Sequence, residues 1–352
     1  MPTDKLIPVT SNPRAQRSLR LASGTALCMA ASFGLDLPIP MVAPALAVFL
    51  FAMLNRPLPF KAGLGLSLMV MVTTGSGLLL IPMLRYYPFS GVLLIGLCLF
   101  LAFRFGLRGG NNLMTTFLVV GLTMISAAGT TDFGLAVLVI GALVKGLLVA
   151  VLALGFCHWV FPEPAGAPAS PVAPRVPDEL ASWLALRATL VVMPAFLLAL
   201  TDPSGYMPII MKAVSLGRQS CTTTAKAAGR ELLGSTLLGG VLAILFWFAL
   251  GLFVHLWMFF LWTLLFSLLL ARKLYALSPT RYPPSFWLNT LVTLIILLGQ
   301  SVQDSLIGKD VYTAFAVRMG LFIGVTLYAC LVLQLLDQQR RIARQPTAFE
   351  SP

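Results

Sequence analysis

From Leu19 to Leu336 the chain is a succession of apolar segments parted by short polar turns, and no other feature limits its fold as much. Twelve segments can be read, at about Leu19–Leu35, Pro38–Leu54, Gly63–Leu84, Phe89–Phe103, Asn112–Ala128, Phe133–Val160, Trp183–Leu200, Gly205–Gly217, Glu231–Leu250, Leu252–Ala271, Phe286–Gln300 and Val311–Leu336. A bilayer core takes about 20 apolar residues of helix, and the runs scatter around that length. Backbone in hydrocarbon must satisfy its own hydrogen bonds, so each run is expected to be helical. The expected fold class is all-α, a polytopic membrane protein with twelve transmembrane helices. With 352 residues, 58% hydrophobic and 10% charged, nothing is left over for a nucleotide-binding domain, a catalytic ectodomain or a DNA-binding module.

The charge is then a matter of topology. Lys and Arg number 24 against 12 Asp and Glu, a net +12, which in a soluble protein would suggest nucleic acid. Here the positive-inside rule accounts for it, and no nucleic-acid partner is expected. A cytoplasmic amino terminus puts Lys5, Arg14, Arg17, Arg56, Lys61, Arg104, Arg108, Arg175, Arg218, Lys226, Arg230, Arg272, Lys273, Arg281, Arg340, Arg341 and Arg344 inside. Only Arg85 and Lys309 then face out, beside Asp36, Asp132, Asp202, Asp304 and Asp310 in short outer loops. Both termini are expected in the cytoplasm, with membrane lipid around the helices.

The spacing of several residues repeats. Arg20 and Asp36 match Arg187 and Asp202, Lys61 matches Lys226, Gly75-Ser76-Gly77 matches Gly239-Gly240, Arg104 matches Arg272, and Lys145 matches Arg318, at offsets near 165 to 173. The chain is expected to be two six-helix repeats running in the same direction, because six spans is an even number. The domains are then residues 1–160 as the first repeat, 161–180 as a Pro/Ala-rich cytoplasmic linker, 181–338 as the second repeat and 339–352 as a cytoplasmic tail.

Three cations fall inside apolar runs. Lys145 lies about 18 Å from the start of its span at 1.5 Å per residue, too deep to reach water. An ammonium at that depth costs several kcal/mol in lipid, so it is expected to point into the protein. Lys212 is placed similarly, and Arg318 lies about a third of the way into the last span. Either these cations pair with carbonyls or acids and hold helices together, or they line a pathway that attracts a small anionic substrate. Pro38, Pro40 and Pro44 in the second span, and Pro203 and Pro208 in its counterpart, predict interrupted helices beside that pathway. Asp132 and Asp304, in equivalent polar loops, are candidates for an outer gate or for simple turns. Cys28, Cys98, Cys157, Cys221 and Cys330 share no ligand spacing with each other or with His158 and His255, so neither a metal nor any other cofactor is expected. No GxSxG, HExxH, Walker A or paired intramembrane acid occurs, and an enzyme is not expected.

Arg20-Leu-Ala-Ser-Gly-Thr-Ala-Leu, the outer Asp36-Leu-Pro, Lys61 before a Gly-rich third span, the second copy running from Arg187 through Lys226-Ala-Ala-Gly-Arg-Glu-Leu-Leu-Gly-Ser-Thr-Leu-Leu-Gly-Gly, and the closing Arg318-Met-Gly together resemble the fusaric acid resistance and aromatic acid exporter family. The resemblance implies a bacterial inner-membrane protein of two six-helix halves that exports aromatic carboxylates, with a periplasmic adaptor of the membrane-fusion type. Larger members carry a soluble cytoplasmic domain after each half; here a linker and a short tail stand in their place, so the resemblance is to a short branch. Plant aluminium-activated malate channels look similar in one half.

The first expectation is thus an inner-membrane efflux permease for small organic anions, drawing on the proton gradient, with Lys145, Lys212 and Arg318 attracting the carboxylate. An anion channel and a non-transporting membrane scaffold are the alternatives. The sequence leaves the oligomeric state open, a homo-oligomer included.

Overall fold

The computed structural model describes residues 12–55, 58–163, 176–221, 227 and 229–344, and every regular element among them is helical. Nine helical stretches among the described residues are long and apolar enough to cross a membrane: Lys61–Tyr86, Pro88–Leu107, Asn112–Thr131, Phe133–Val160, Asp178–Thr201, Gly229–Leu252, Leu256–Leu274, Pro284–Leu306 and Val311–Gln338. The protein is a multi-pass helical membrane protein. Three of the twelve expected segments do not reach that standard although all three are helices. They are α1 (Pro13–Gly34), with Arg14, Arg17 and Arg20 in its first turns, α2 (Val42–Met53), of only 12 residues, and α10 (Pro203–Ser220), which carries Lys212 and Arg218.

Their burial explains the shortfall. In α10 Met207, Ile209, Ile210, Lys212, Ala213, Val214, Ser215 and Leu216 are all buried, and α2 buries Val42 to Ala45, Ala47, Val48, Leu50 and Phe51. Both helices are enclosed by protein, so neither needs a lipid-facing apolar surface. They meet α13 (Pro284–Leu306), in which every residue from Asn289 to Gly299 is buried. Helices apolar on all sides belong in the interior of a bundle. The lipid-facing surface falls to α5 (Pro88–Leu107), α8 (Phe133–Val160), α11 (Gly234–Leu252), α12 (Leu256–Leu274) and α14 (Val311–Arg344), where Leu93, Leu152, Phe248, Leu265 and Leu331 are among the exposed large side chains.

Long-range packing joins distant parts of the chain. α1 lies against α12, with the Phe33 and Phe259 rings edge to face at 5.3 Å, and also against α2 and α8. In the second part α9 (Asp178–Thr201) lies against α5, α10 and α14. Small residues let these helices approach: a Cβ on Gly239 of α11 would stand 2.9 Å from the Thr290 carbonyl oxygen of α13, and one on Gly146 of α8 would stand 2.9 Å from Val42 of α2.

The irregular backbone lies elsewhere than the prolines predict. Pro38 and Pro40 sit in the turn before α2 and Pro44 in its first turn, where no ladder donor is lost. α10 starts on Pro203 and continues unbroken through Pro208. The breaks are instead a 3₁₀ turn, Ser76–Leu80, between α3 (Phe60–Gly75) and α4 (Ile81–Tyr86), and a π turn, Gly121–Ile125, between α6 (Asn112–Val120) and α7 (Ser126–Thr131). These two turns cross each other. A Cβ on Gly121 would stand 2.6 Å from the Thr73 carbonyl oxygen, so only glycine permits the crossing. A second π turn, Gly229–Leu233, leads into α11.

Ion pairs gather at one end of the bundle, called here the linker end. Arg17 bonds Glu163 at 2.6 Å, Arg20 bonds the other oxygen of the same carboxylate, and Arg187 bonds Asp337 at 3.1 Å and the Ser220 carbonyl. Arg108 bonds Asp178 at 2.8 Å, and the Tyr275 hydroxyl donates to the Phe51 carbonyl at 3.1 Å. Lys5, Arg56, Arg175, Lys226, the side chains of Arg340, Arg341 and Arg344, residues 164–175 of the linker and 345–352 of the tail lie outside the described residues.

Candidate anion site between the inner helices

Lys212 sits near the middle of α10 and is fully buried. Its ammonium donates to Asn289 Oδ1 at 3.0 Å and to Thr293 Oγ1 at 2.7 Å, both on α13, and lies 6.0 Å from the centre of the Phe322 ring on α14. No carboxylate lies within ion-pair distance of it among the described residues. Burying an ammonium whose acceptors are all neutral is costly in a medium that screens it poorly, and an anion beside it offsets that cost. The supporting network is well defined. Asn289 Nδ2 donates to Ser235 Oγ at 2.6 Å, and the Thr293 hydroxyl donates to the Asn289 carbonyl at 2.7 Å.

A cavity of about 190 Å³ opens at the linker end of α2, α10 and α13. Phe49, Ala52 and Met53 of α2, Ser215, Arg218 and Gln219 of α10, and Leu288, Asn289 and Val292 of α13 line it. Arg218 donates to Thr116 Oγ1 at 2.6 Å, and Gln219 to the Ser285 carbonyl at 3.1 Å. Asn289 belongs both to the cavity wall and to the Lys212 shell, so it links the cavity, which Arg218 also lines, to the buried ammonium. Arg218, expected only as a loop cation, Asn289 and Thr293 escaped the sequence reading. The signal was there: three polar side chains, Asn289, Thr290 and Thr293, fall within five residues of an otherwise apolar run.

The structure does not bring Lys145, Lys212 and Arg318 to one point. Lys145 is exposed, contrary to the expectation that it faces inward. The reason is the packing of α8, which turns Ala142, Leu143, Gly146, Leu147 and Ala150 toward the other helices and leaves Lys145 beside the exposed Leu138, Leu148 and Leu152. Arg318 is half-buried and bonds both oxygens of Asp304, at 2.9 Å from one of them, so its charge is matched by an acid. It stands one turn before Phe322 on α14, on the face that reaches Lys212. Asp304 is itself buried near the end of α13, a helix closed by Gly308 at φ 72° and by the Lys309 amide on the Asp304 carbonyl. Asp132 is exposed and caps α8, accepting from the Gly134 amide at 2.9 Å and the Leu135 amide at 3.2 Å. Pro40 and Pro44 are buried at the start of α2, and Pro208 is buried on α10 two turns before the cavity. The five cysteines are free thiols, and no three His, Cys, Asp or Glu side chains are grouped around a metal-sized space among the described residues.

A family model described as a protein of unknown function, DUF2955, matches residues 17–157, the stretch from the second turn of α1 almost to the end of α8. That description carries no activity and does not name the exporter family that the sequence resembles. No curated protein and no solved structure matches the chain.

Proposed function

We propose that the protein is a permease that carries small organic anions, aromatic carboxylates first among them, outward across a bacterial inner membrane. The single observation that carries the reading is Lys212: a fully buried ammonium with only neutral partners, next to a cavity that already holds a second cation, Arg218. Such a centre favours an anion whose body is apolar, since Phe49, Met53, Leu288 and Val292 line the rest of the cavity. Arg218, Lys212 and Arg318 follow one another from the linker end to the opposite end, with Arg318 held by Asp304 as a closing pair. All twelve helical segments cross the membrane in this reading, with the linker end and both termini in the cytoplasm. The carried body is two six-helix halves, 1–160 and 181–338, joined by the linker 161–180. Matching contacts support the halves: α1 on α12 has its counterpart in α9 on α5, α2 on α8 in α10 on α14, and α3 on α6 in α11 on α13. The protein acts as a carrier and not as an enzyme, and a periplasmic adaptor would receive the anion as the family resemblance implies.

Proteoliposomes loaded with labelled benzoate test the reading. Lys212→Met, which keeps the length of the side chain and removes the charge, is expected to slow benzoate release at least about tenfold, as loss of a buried charge-assisted contact should. Release by the variant at the wild-type rate would sink the proposal. That no acid lies within ion-pair distance of Lys212 among the described residues also suits an anion channel, and accumulation of benzoate against its gradient under an imposed proton gradient distinguishes the carrier from it.

A further inference from the structure

We infer that Asn289 is a stand-in for the substrate carboxylate: its amide oxygen occupies the place at Lys212 that the anion takes, and its displacement passes the anion from the cavity to the lysine. The inference rests on the anion-permease reading and adds the residue that decides how the site is filled. Asn289 alone lines the cavity and also bonds the Lys212 ammonium. Its orientation follows from its partners. The ammonium can only donate, so it faces the amide oxygen at 3.0 Å, and the amide nitrogen donates to Ser235 at 2.6 Å, whose own hydroxyl proton goes to backbone carbonyls of its helix.

An amide oxygen and a carboxylate oxygen are alike in size and in accepting hydrogen bonds, and they differ in charge. Lys212 therefore holds an uncharged acceptor that an arriving carboxylate displaces, because the carboxylate adds a full charge–charge attraction, in a poorly screening interior, to the charge-assisted bond the amide already accepts. Thr293, the second acceptor at 2.7 Å, stays in place on its own helix through its bond to the Asn289 carbonyl. The exchange requires one rotation of the Asn289 side chain, after which its amide nitrogen can donate to the second carboxylate oxygen. A site built this way is closed to water and to other polar solutes while empty, and opens to an anion alone.

Asn289→Asp makes the test sharp, because it puts a permanent carboxylate of the same shape on Lys212. The purified variant in detergent should melt at or above the wild-type temperature, and added benzoate should no longer raise that temperature. Its benzoate transport should fall at least about tenfold, the expected result of internal occupation of the site. An asparagine that merely braces two helices would instead leave the aspartate variant less stable and still responsive to benzoate. Asn289→Ser serves if the aspartate variant does not fold: it removes the competing acceptor, so benzoate should bind at least as tightly as in the wild type, and weaker binding overturns the inference. Wild-type binding of benzoate with equal binding by the aspartate variant overturns the stand-in role and leaves the permease reading intact. A wild type that shows no benzoate binding or transport overturns both.

Discussion

The two inner helices that flank α13 show what a buried helix can and cannot carry. α2 is apolar along its whole length, Val-Ala-Pro-Ala-Leu-Ala-Val-Phe-Leu-Phe-Ala-Met, while α10 carries Lys212, Ser215, Arg218 and Gln219 on faces that meet α13 and the cavity. Both are enclosed, and in the proposed two-half arrangement they occupy equivalent places. Ala45 and Leu46 of α2 then correspond to Lys212 of α10. The polar chemistry is confined to one helix, and its partner supplies a smooth wall of Phe49, Ala52 and Met53. What allows the charge on α10 is the polar pair on α13: a lysine is tolerable there because Asn289 and Thr293 accept from it, whereas Ala45 is buried on a helix with no polar side chain of its own.

Moving the charge across the comparison should break the molecule. Ala45→Lys puts an ammonium among Val42, Val48 and the rest of the α2 shell without acceptors, a cost of several kcal/mol that removes folded protein altogether. Size-exclusion profiles in detergent check it, and a monodisperse variant would mean that α2 has polar access not visible in its packing. Next in size, Arg318→Ala leaves Asp304 buried without its guanidinium and should destabilise by about 3–5 kcal/mol, the cost of orphaning one member of a buried pair. Pairing it with Asp304→Asn should recover most of the loss in thermal unfolding.

A smaller effect is expected where α3 and α6 cross. Gly121→Val forces a side chain against the Thr73 carbonyl and the Thr74 backbone, and should lower stability by about 1–3 kcal/mol. Gly141→Val, on the open side of α8 where a Cβ meets nothing within 4 Å, is the control and should leave the melting temperature unchanged. The smallest loss belongs to Lys145→Leu. An exposed lysine at that depth is unfavourable in lipid, so its removal should leave transport unaltered and membrane yield equal or higher. Transport lost with Lys145 would show that a polar surface covers α8 in the working protein.

Helices were the legible part of this fold, and the directions of their faces were not. Phe133–Val160 stands in the structure with the boundaries read from the sequence, because Asp132 caps one end and Phe161-Pro162 closes the other. The same helix hid the direction of Lys145, since it is apolar on every side and no hydrophobic stripe tells the inward face from the lipid face. Prolines misled for a related reason: Pro44 sits in a first turn, where a missing amide costs nothing, while the breaks came at glycines whose value lies in contact with another helix. The partners of the basic residues were illegible as well. Glu163 meets Arg20 across 143 positions and Asp337 meets Arg187 across 150, distances over which spacing carries no signal. The site was half visible, as Lys212 stands out in any apolar run but the acceptors that make it tolerable are separated from it by 77 and 81 positions.

The contact between α1 and α12 has a consequence for how the protein is made. α1 meets α12 only when Leu256–Leu274 has been added, some 240 residues after Gly34. At about 5–20 residues per second that is a wait of about twelve to forty-eight seconds for a helix that is not apolar enough to rest comfortably in lipid by itself. Newborn chains therefore pass through a long interval in which α1 has α2 and then α8 beside it while the face that takes α12 stays uncovered. Mutations on the Phe33 and Phe259 faces would be felt there first, as shortened lifetime of unfinished molecules in the cell, before any change in the finished protein.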